Sequence, residues 1–420
     1  MNERFSPDYR LELDGRPVPA GLRAAISSLT LTSALDGADR VEVSLANQHL
    51  RWTDEPLLRV GTPVRLSLGY NPDGFEQMFV GEVVSAEATF PADGAPTLTV
   101  AAQDRMTHLA DRTQTRWYAV PIPTIGTTAL PDAAIAPLLA LENGFLPILD
   151  PLGATLSVLV YGVTLAVSIG DCDEMQKMVR RQQGQSDLDF LKVLARENGW
   201  DMLVDHSGAT GGHKLRFLSP EGELEPVRTY RYGSSLVDWT PRVTSVGVLA
   251  SITAYLRVSA IKTVFAITVG YDWDNASLDI SVVPAVLGSL PPAPRTGSGS
   301  TRLGGGENSL VLGENLTLFT APRRILGKLV PSLNNRLTGS GTVVGEPALQ
   351  AGKVVQLEGL GEQYGGRYRI TTATHTVGPG GYSTTFRARK EIWFGSIPAA
   401  QQGAVSLSIP FLEVSGAVSY

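Results

Sequence analysis

The side chains best suited to chemistry in this 420-residue sequence are two groups of carboxylates. They are Asp171, Asp173 and Glu174, followed by Glu221, Glu223 and Glu225. Two acids that face each other across a cleft can hydrolyse a glycosidic bond, but acids this close in sequence usually form solvated turns. The acid groups therefore leave glycan hydrolysis only as an alternative function for this chain.

The histidines show no pair at the i, i+4 spacing that places two metal ligands on one helix face. They are His49, His108, His206, His213 and His375. His206 and His213 bracket a Gly-rich segment, and we predict that both lie on the surface at a hairpin tip. His375 falls in a predicted strand, where we expect a structural polar residue rather than a base.

Sequence motifs that carry enzyme chemistry are absent. There is no nucleophile elbow, phosphate-binding loop, dinucleotide fingerprint or His-Glu-x-x-His helix. The single cysteine, Cys172, excludes an internal disulfide and a Cys-based zinc site, and it fits folding in a reducing compartment. The sequence thus predicts a protein that is not an enzyme and that has no cofactor and no metal.

Composition indicates a globular chain with several cored domains. Hydrophobic residues make up 43% and charged residues 18%, which is too apolar for a disordered chain. The net charge of −6 and a pI near 5.5 argue against nucleic-acid recognition, which needs a basic surface.

Membrane insertion and secretion are not expected. The N-terminal residues carry both charges and no apolar core, so they do not form a signal peptide. Residues 151–170 are uncharged over about the length of a membrane span. Their glycines and β-branched residues instead predict a packed hairpin joined at Tyr161 and Gly162, with Val158, Val160, Leu165 and Val167 in its strands.

The clearest predicted element is a helix over 186–198. Ser186 can cap it, Asp187 and Asp189 suit its N-terminal end, and Gly199 ends it. Leu191 and Leu194 recur at helical spacing, and we expect them to pack against a barrel. Trp200 to Asp205 reads as a strand that follows the helix.

The wording of this segment, a Gln-rich lead followed by Ser-Asp-x-x-Phe-Leu-x-x-Leu-Ala-x-x-x-Gly-Trp, resembles the central helix of hub proteins of contractile injection machines. That family includes phage late control gene D proteins, the hub part of VgrG spikes and the hubs of extracellular injection particles. The resemblance covers most of residues 5–395, and the stretch from about 119 to 172 departs from it.

Strand patterns recur in two places. Residues 8–104 alternate apolar and polar positions between Gly, Pro and Asp turns, which predicts a barrel or sandwich. Gly-led strands at 60–66, 81–84 and 98–102 return in the same order at 351–357, 366–370 and 383–388. We therefore predict that 8–104 and 336–390 are duplicated β-barrels, and the hub resemblance also implies two similar tube-like barrels.

The predicted fold class is mainly β with some α. The predicted divisions are 1–110, a first tube-like barrel; 111–178, a Pro-rich apolar insertion with little regular structure; 179–290, a central α+β region; 291–314, a Gly/Ser/Pro-rich loop; 315–395, a second barrel; and 396–420, a tail. Short helices are expected over 104–111, over 132–141 with Asp132 as the cap, and over 315–335.

The resemblance implies a structural role as a trimeric hub, whose two barrels per chain would form a pseudo-hexameric ring. Such a hub joins the hexameric inner tube protein to a trimeric spike, which we expect to be a separate protein, and it contacts other baseplate components. Assembly would take place in the cytoplasm, and the product would be part of a virion or of a phage-tail-like injection particle.

The tail supplies the candidate docking residues. Val405, Leu407, Ile409 and Phe411 alternate with polar residues or Pro410, so one face of an extended strand is apolar. Residues 404–415 would either help to seat the spike protein or fold back on their own barrel.

Overall fold

Strands dominate the fold. The computed structural model describes residues 6–71, 74–122, 126–151, 153–155, 157–158, 161–162, 178–219, 223–244, 251–258, 263–272, 277–284, 309–316, 320–392, 404–409 and 412–417. Over these residues the chain is mainly β with some α, as its alternating patterns predict.

The strands of the N-terminal half are β1 Ser6–Leu13, β2 Arg16–Pro17, β3 Ile26–Ala34, β4 Arg40–Ala46, β5 Pro63–Asn71, β6 Gly74–Thr89, β7 Thr97–Gln103, β8 Thr113–Ile122, β9 Gly126–Ala129, β10 Leu146–Leu149, β11 Arg180–Ser186 and β12 Asp201–Asp205. Those that follow are β13 Lys214–Leu218, β14 Pro226–Arg231, β15 Leu236–Val243, β16 Ser251–Val258, β17 Thr263–Asp272, β18 Ser277–Pro284, β19 Ser309–Leu316, β20 Leu337–Val344, β21 Val354–Glu358, β22 Gly366–Gly378, β23 Gly381–Arg389, β24 Ala404–Ile409 and β25 Leu412–Ala417.

Over the described residues the helices are fewer than the strands. The α-helices are α1 Ala20–Ala25, α2 Asp132–Glu142, α3 Asp187–Asn198, α4 Thr320–Asn334 and α5 Gly361–Tyr364. Three 3-10 turns cover Gln48–Leu50, Pro56–Leu58 and Arg105–Ala110. The last of these confirms the short helix predicted over 104–111, and the Asp104 side chain caps it by accepting a hydrogen bond from Met106 N–H.

The first strand block consists of β1 and β3 to β7, in the order β3-β4-β7-β6-β5-β1. Its alternating residues, such as Leu11, Val43 and Leu66, are buried in one shared core. Strands from both ends of this order, together with Leu22 of α1, line one apolar cavity of about 20 Å³. The sheet therefore curls round a common interior, which α1 covers at one side.

The second strand block consists of β14, β15 and β20 to β23, in the order β15-β20-β23-β22-β21-β14. Strand by strand this is the order of the first block, with β15 in the place of β3 and β14 in the place of β1. Its separate core contains Tyr368, Ile370 and Phe386. Both blocks belong to one 13-stranded sheet.

The agreement between the blocks extends to irregularities. A bulge follows Val83 in β6 and another follows Ile370 in β22, at matching points of their ladders with β7 and β23. Gly61 and Gly352, which precede β5 and β21, both have positive φ, at 89° and 83°. One difference is direction, because β1 runs antiparallel to β5 whereas β14 runs parallel to β21. The superposition of the two blocks stays a prediction.

The central helix forms as predicted. Ser186 Oγ accepts a hydrogen bond from Asp189 N–H at 3.0 Å, and Gly199 ends the helix in the left-handed conformation at φ 69°. Leu191 and Leu194 are fully buried. The expectation that they pack against a barrel is wrong, because they lie in a separate core with α2, β12 and β13. The small sheet β10-β13-β12 gives the helix a nearer apolar surface.

The segment 111–178 has more regular structure than predicted. β8 pairs with β9 and with β11, and α2 packs into the core of the central helix. The prolines interrupt less than expected because Pro121 falls near the end of β8 and Pro131 precedes α2. Asp132 is the first residue of α2 rather than its cap, and its carboxylate binds Arg180 and Asn198 instead.

The predicted hairpin at 151–170 is also wrong where the structure describes it. Val158, Tyr161 and Gly162 are helical, while Val160, Leu165 and Val167 lie outside the described residues. Pro151 stands at the start of a helical turn in which Ala154 N–H donates to Asp150 O at 2.9 Å, a position that favours proline. Among the helices that the structure describes, none is long and apolar enough to cross a membrane.

A six-stranded sheet, in the order β19-β16-β17-β18-β24-β25, follows the central region in the chain. The helix predicted over 315–335 begins later than expected, since Leu316 ends β19 and α4 begins at Thr320. Gly327 allows α4 to approach α3 closely, because a Cβ there would lie 2.8 Å from Arg196 O. Leu316 belongs to a strand rather than to the predicted helix because it pairs with Leu256 of β16. No local sequence pattern indicates this pairing.

Candidate assembly surfaces and buried polar clusters

The tail residues proposed for docking lie partly in a strand. The backbone of Val405, Leu407 and Ile409 belongs to β24, which runs parallel to β18, and β25 folds back antiparallel on β24. Phe411 lies outside the described residues. The tail is thus joined to the six-stranded sheet rather than to either strand block, and β25 ends the described order of that sheet.

Two of the predicted acids, Glu223 and Glu225, lie within the described residues, and cations bind the first of them. Glu223 pairs with Arg216 and lies 3.5 Å from Lys353 Nζ. Burial acts to raise the pKa of Glu223, but these two cations outweigh it and hold the pKa below its usual value. Glu223 is therefore poorly suited to donate a proton. Asp171, Asp173, Glu174 and Glu221 lie outside the described residues.

His206 is buried, which corrects the predicted surface position, whereas His213 is exposed as predicted. The hairpin that carries His206 folds against β6, where Gln77 Nε2 donates to His206 O at 2.5 Å. Gly212 permits this approach, since a Cβ there would lie 2.8 Å from the Val80 side chain. The glycines that suggest an exposed hairpin tip instead allow the hairpin to pack closely against β6.

His206 completes a buried cluster with Asp39 and Asp104, whose ligand atoms lie within 4.8 Å of one another. Such a set of side chains can hold a metal ion. The hydrogen bonds of His206 show whether its ring nitrogen is free to ligate one. Val80 N–H donates to His206 Nδ1 at 3.1 Å, so the ring proton belongs on Nε2, which lies 3.1 Å from Asp39 Oδ2. A protonated Nε2 cannot ligate a metal. The cluster is better explained as a polar link between β6 and the end of β12.

Protonation within this cluster is set by burial. Burial, followed by the charge of Asp39, raises the pKa of Asp104 to about 7. Burial opposes a charge on His206 and the Asp39 carboxylate favours one, with a net rise in the pKa of the ring. A proton on Nδ1 would nevertheless face the Val80 N–H donor, so the neutral ring fits the hydrogen bonds. No sequence signal connects these residues, which are up to 167 positions apart.

His375 is fully buried and hydrogen-bonded, in agreement with its predicted structural role. Its Nε2 donates to Leu349 O at 2.8 Å, and its Nδ1 lies 2.9 Å from the Tyr382 hydroxyl and 3.1 Å from Thr384 Oγ1. Burial lowers the pKa of His375 to about 4. The ring sits where β22 pairs with β3, so it supports the junction between the two strand blocks.

A buried ion network ties the second strand block to the central region. Glu391 is fully buried and accepts hydrogen bonds from Arg369 and Arg389 at 2.9 to 3.1 Å. Arg389 also binds both carboxylate oxygens of Asp201, at 3.1 and 2.9 Å. The end of β23 is thereby fixed to the start of β12.

Several strand edges of the 13-stranded sheet have no partner within the part of the chain that the structure describes, and two of them, on β15 and on β6, carry exposed apolar side chains. β15 pairs with β20 only, and β6 beyond Val83 pairs with β7 only. Val237 and Phe90, at these edges, are 62% and 61% exposed. Free edges with apolar side chains are surfaces on which another strand can add. The sequence predicts the strands but not which of their edges stay open.

Comparison with known proteins defines the fold. No family model matches the sequence, and no curated protein matches it either. The chain is similar to a solved 43 kDa tail protein of prophage MuSo2 from Shewanella oneidensis, with a TM-score of 0.58 at 13% identity over 91% of this chain and 98% of that one. It is also similar to a tail protein from Neisseria meningitidis, with a TM-score of 0.56 at 11% identity over 94% and 99%.

A third similar structure is the E. coli c3393 protein, described as a component of the type VI secretion system that resembles the T4 bacteriophage tail proteins gp27 and gp5. The TM-score is 0.51 at 11% identity, over 90% of this chain and 76% of that one. The chain therefore has the fold of these phage tail and secretion-system proteins.

Proposed function

We propose that this chain is the structural hub of the baseplate of a contractile injection machine, either a phage tail or a phage-tail-like particle. The observation that carries the proposal is a fold shared over nine-tenths of the chain with two phage tail proteins. The resemblance of the central helix to hub proteins supports it independently. The cation-bound Glu223 and the neutral, buried histidines give no support to the alternative, a glycan hydrolase.

The hub acts as a homotrimer. Each chain carries two strand blocks with one strand order, so three chains supply six similar blocks. A ring of six blocks matches a sixfold inner tube, while its true threefold symmetry matches a trimeric spike. Duplication within one chain is therefore a physical means of joining two symmetries without changing subunits.

Light scattering coupled to size exclusion tests the trimer. The expected mass is about three times the 44.8 kDa of one chain. When the hub is mixed with inner tube protein, electron microscopy should then show tubes that each carry one hub trimer at one end. A chain that stays monomeric alone and with tube protein would refute the hub role.

The tail contributes the spike contact. Val405, Leu407 and Ile409 alternate along β24, and with Phe411 they form the proposed docking stripe for a separate spike protein. The pairing of β24 with β18 supports a tail that is anchored in its own chain. Among the described residues no strand pairs with the outer edge of β25, so another protein can add a strand there.

Deletion of residues 401–420 tests this contact by co-purification of the spike protein with the hub. We expect the truncated hub to keep its oligomeric state and to lose the spike. Retention of the spike at full affinity would show that the tail serves only its own sheet.

A further inference from the structure

The junction between the two strand blocks within one chain is a strand-edge pairing. β3 runs antiparallel to β22, from Leu29 opposite Val377 to Ala34 opposite Thr372. β22 makes this pairing only beyond its bulge, since before the bulge it pairs with β21. One block therefore joins the other through the late half of one strand and the edge of another.

The shared strand order of the two blocks identifies which segments correspond to 29–34 and 372–377 in the opposite block. The bulge after Val83 corresponds to the bulge after Ile370, so residues 85–90 of the first block stand where 372–377 stand in the second. β3 and β15 also share a bulge, after Ile26 and after Leu236. Residues 239–244 accordingly correspond to 29–34. The intrachain junction uses 372–377 and 29–34, and among the described residues no strand pairs with the outer edges of the other two segments.

Exposure agrees with this assignment. Phe90 is 61% exposed, whereas its equivalent, Val377, packs against the core of the first block. Val243 is 36% exposed, whereas its equivalent, Ser33, is 8% exposed. Segments 85–90 and 239–244 thus carry the exposure expected of a junction whose partner belongs to another chain.

We propose that β15 of one copy of this chain pairs antiparallel with residues 85–90 of a second copy, with Trp239 opposite Phe90 and Thr244 opposite Ser85. The pairing repeats the intrachain junction, and it rests on the ring proposed above. Because its two surfaces differ, the contact is heterologous, and each copy supplies one surface to each neighbour. First and second blocks then alternate round the ring.

Charge supports this register. It places Arg242 opposite Glu87 of the second copy, and both residues are exposed in the single chain. Opposite charges facing each other across an antiparallel pair are favourable. Their intrachain equivalents are Thr32 and Thr374, whose hydroxyl oxygens lie 3.5 Å apart.

Hydrogen-bond directions agree as well. Thr244 N–H donates to Arg336 O at 2.9 Å, so even-numbered residues of β15 bond towards β20 and odd-numbered ones face the open edge. Leu35 N–H donates to Thr371 O, so odd-numbered residues of β3 likewise face β22. Pro241 has no N–H, so it leaves the β15–β20 ladder intact but removes one hydrogen bond from the proposed pairing, opposite Ala88 of the second copy.

Cysteine cross-linking tests the register. In a Cys172→Ser background, Glu87→Cys and Arg242→Cys would face each other at a non-hydrogen-bonded pair, where Cα atoms lie about 4.5 Å apart. That distance suits a disulfide. We expect oxidised full-length protein to form covalent dimers and trimers that reduction dissolves. The single variants, and Glu12→Cys combined with Arg242→Cys, should stay uncross-linked.

Charge reversal supplies a second measurement. Glu87→Arg or Arg242→Glu alone should raise the midpoint concentration of trimer dissociation about tenfold or more, and the two changes together should restore it. If light scattering shows a trimer but neither cross-linking nor this rescue is observed, the proposed interface is wrong and the proposed hub function is unaffected. Cross-linking of a single variant would show an isologous contact and overturn the interface too. A monomer overturns both the interface and the trimer.

Discussion

The buried network around Glu391 predicts a large effect from a very small change. Glu391→Gln keeps the shape of the side chain and removes the carboxylate charge that Arg369 and Arg389 share, while Asp201 still binds Arg389. Burial acts to lower the pKa of Arg389, and Asp201 and Glu391 together raise it, so the native network depends on both acids.

The size of the loss in unfolding free energy depends on the hydrogen-bond partners that each guanidinium keeps in the variant. Breaking a buried ion pair by removing one partner costs about 3–5 kcal/mol. Arg389 keeps both oxygens of Asp201, and Arg369 keeps the carbonyl oxygens of Gly352 and Glu223. We therefore expect a loss near the lower end, about 3 kcal/mol of unfolding free energy.

Urea denaturation followed by tryptophan fluorescence measures this loss, because urea does not screen charges. Glu12→Gln is the matched control, since Glu12 lies 3.4 Å from Arg65 and both side chains are partly exposed to solvent. That exposed pair should contribute less than about 1 kcal/mol. If the two variants differ from the unmodified chain by the same amount, the network around Glu391 does not stabilise the fold as its burial implies.

Two further predictions concern the central helix and the block junction. Leu194→Ala should cost about 2–5 kcal/mol, whereas Leu141→Ala, at a side chain 56% exposed, should leave the melting temperature nearly unchanged; equal shifts would place Leu194 outside the core. His375 has a pKa of about 4 in the folded chain, so below about pH 6.5 the unfolded state binds a proton that the native state does not. The unfolding free energy should therefore fall by about 2 kcal/mol between pH 7 and pH 5. His375→Gln should lack this part of the decline, and parallel pH profiles for the two proteins would contradict the assignment.

Local patterns determine much of this protein. Alternation along Leu11 and Leu13 is enough to specify β1, because each strand residue alternates its face whatever lies beyond. The central helix needs only Ser186, Gly199 and its apolar spacing. The recurrence of Gly-led strands predicts two blocks of like strand order, and the glycines Gly61 and Gly352 of these blocks both have the positive φ that favours glycine.

Tertiary structure alone decides which strand edges meet and which polar groups are buried. Nothing near β3 in the sequence records that it pairs with β22, more than 300 residues away, because a strand edge presents the same backbone groups to any partner. His206 reads as a surface residue because its burial depends on Val80 and Asp39, which are remote in the chain. Strand identity is a property of neighbouring residues, whereas pairing and burial depend on contacts between distant ones.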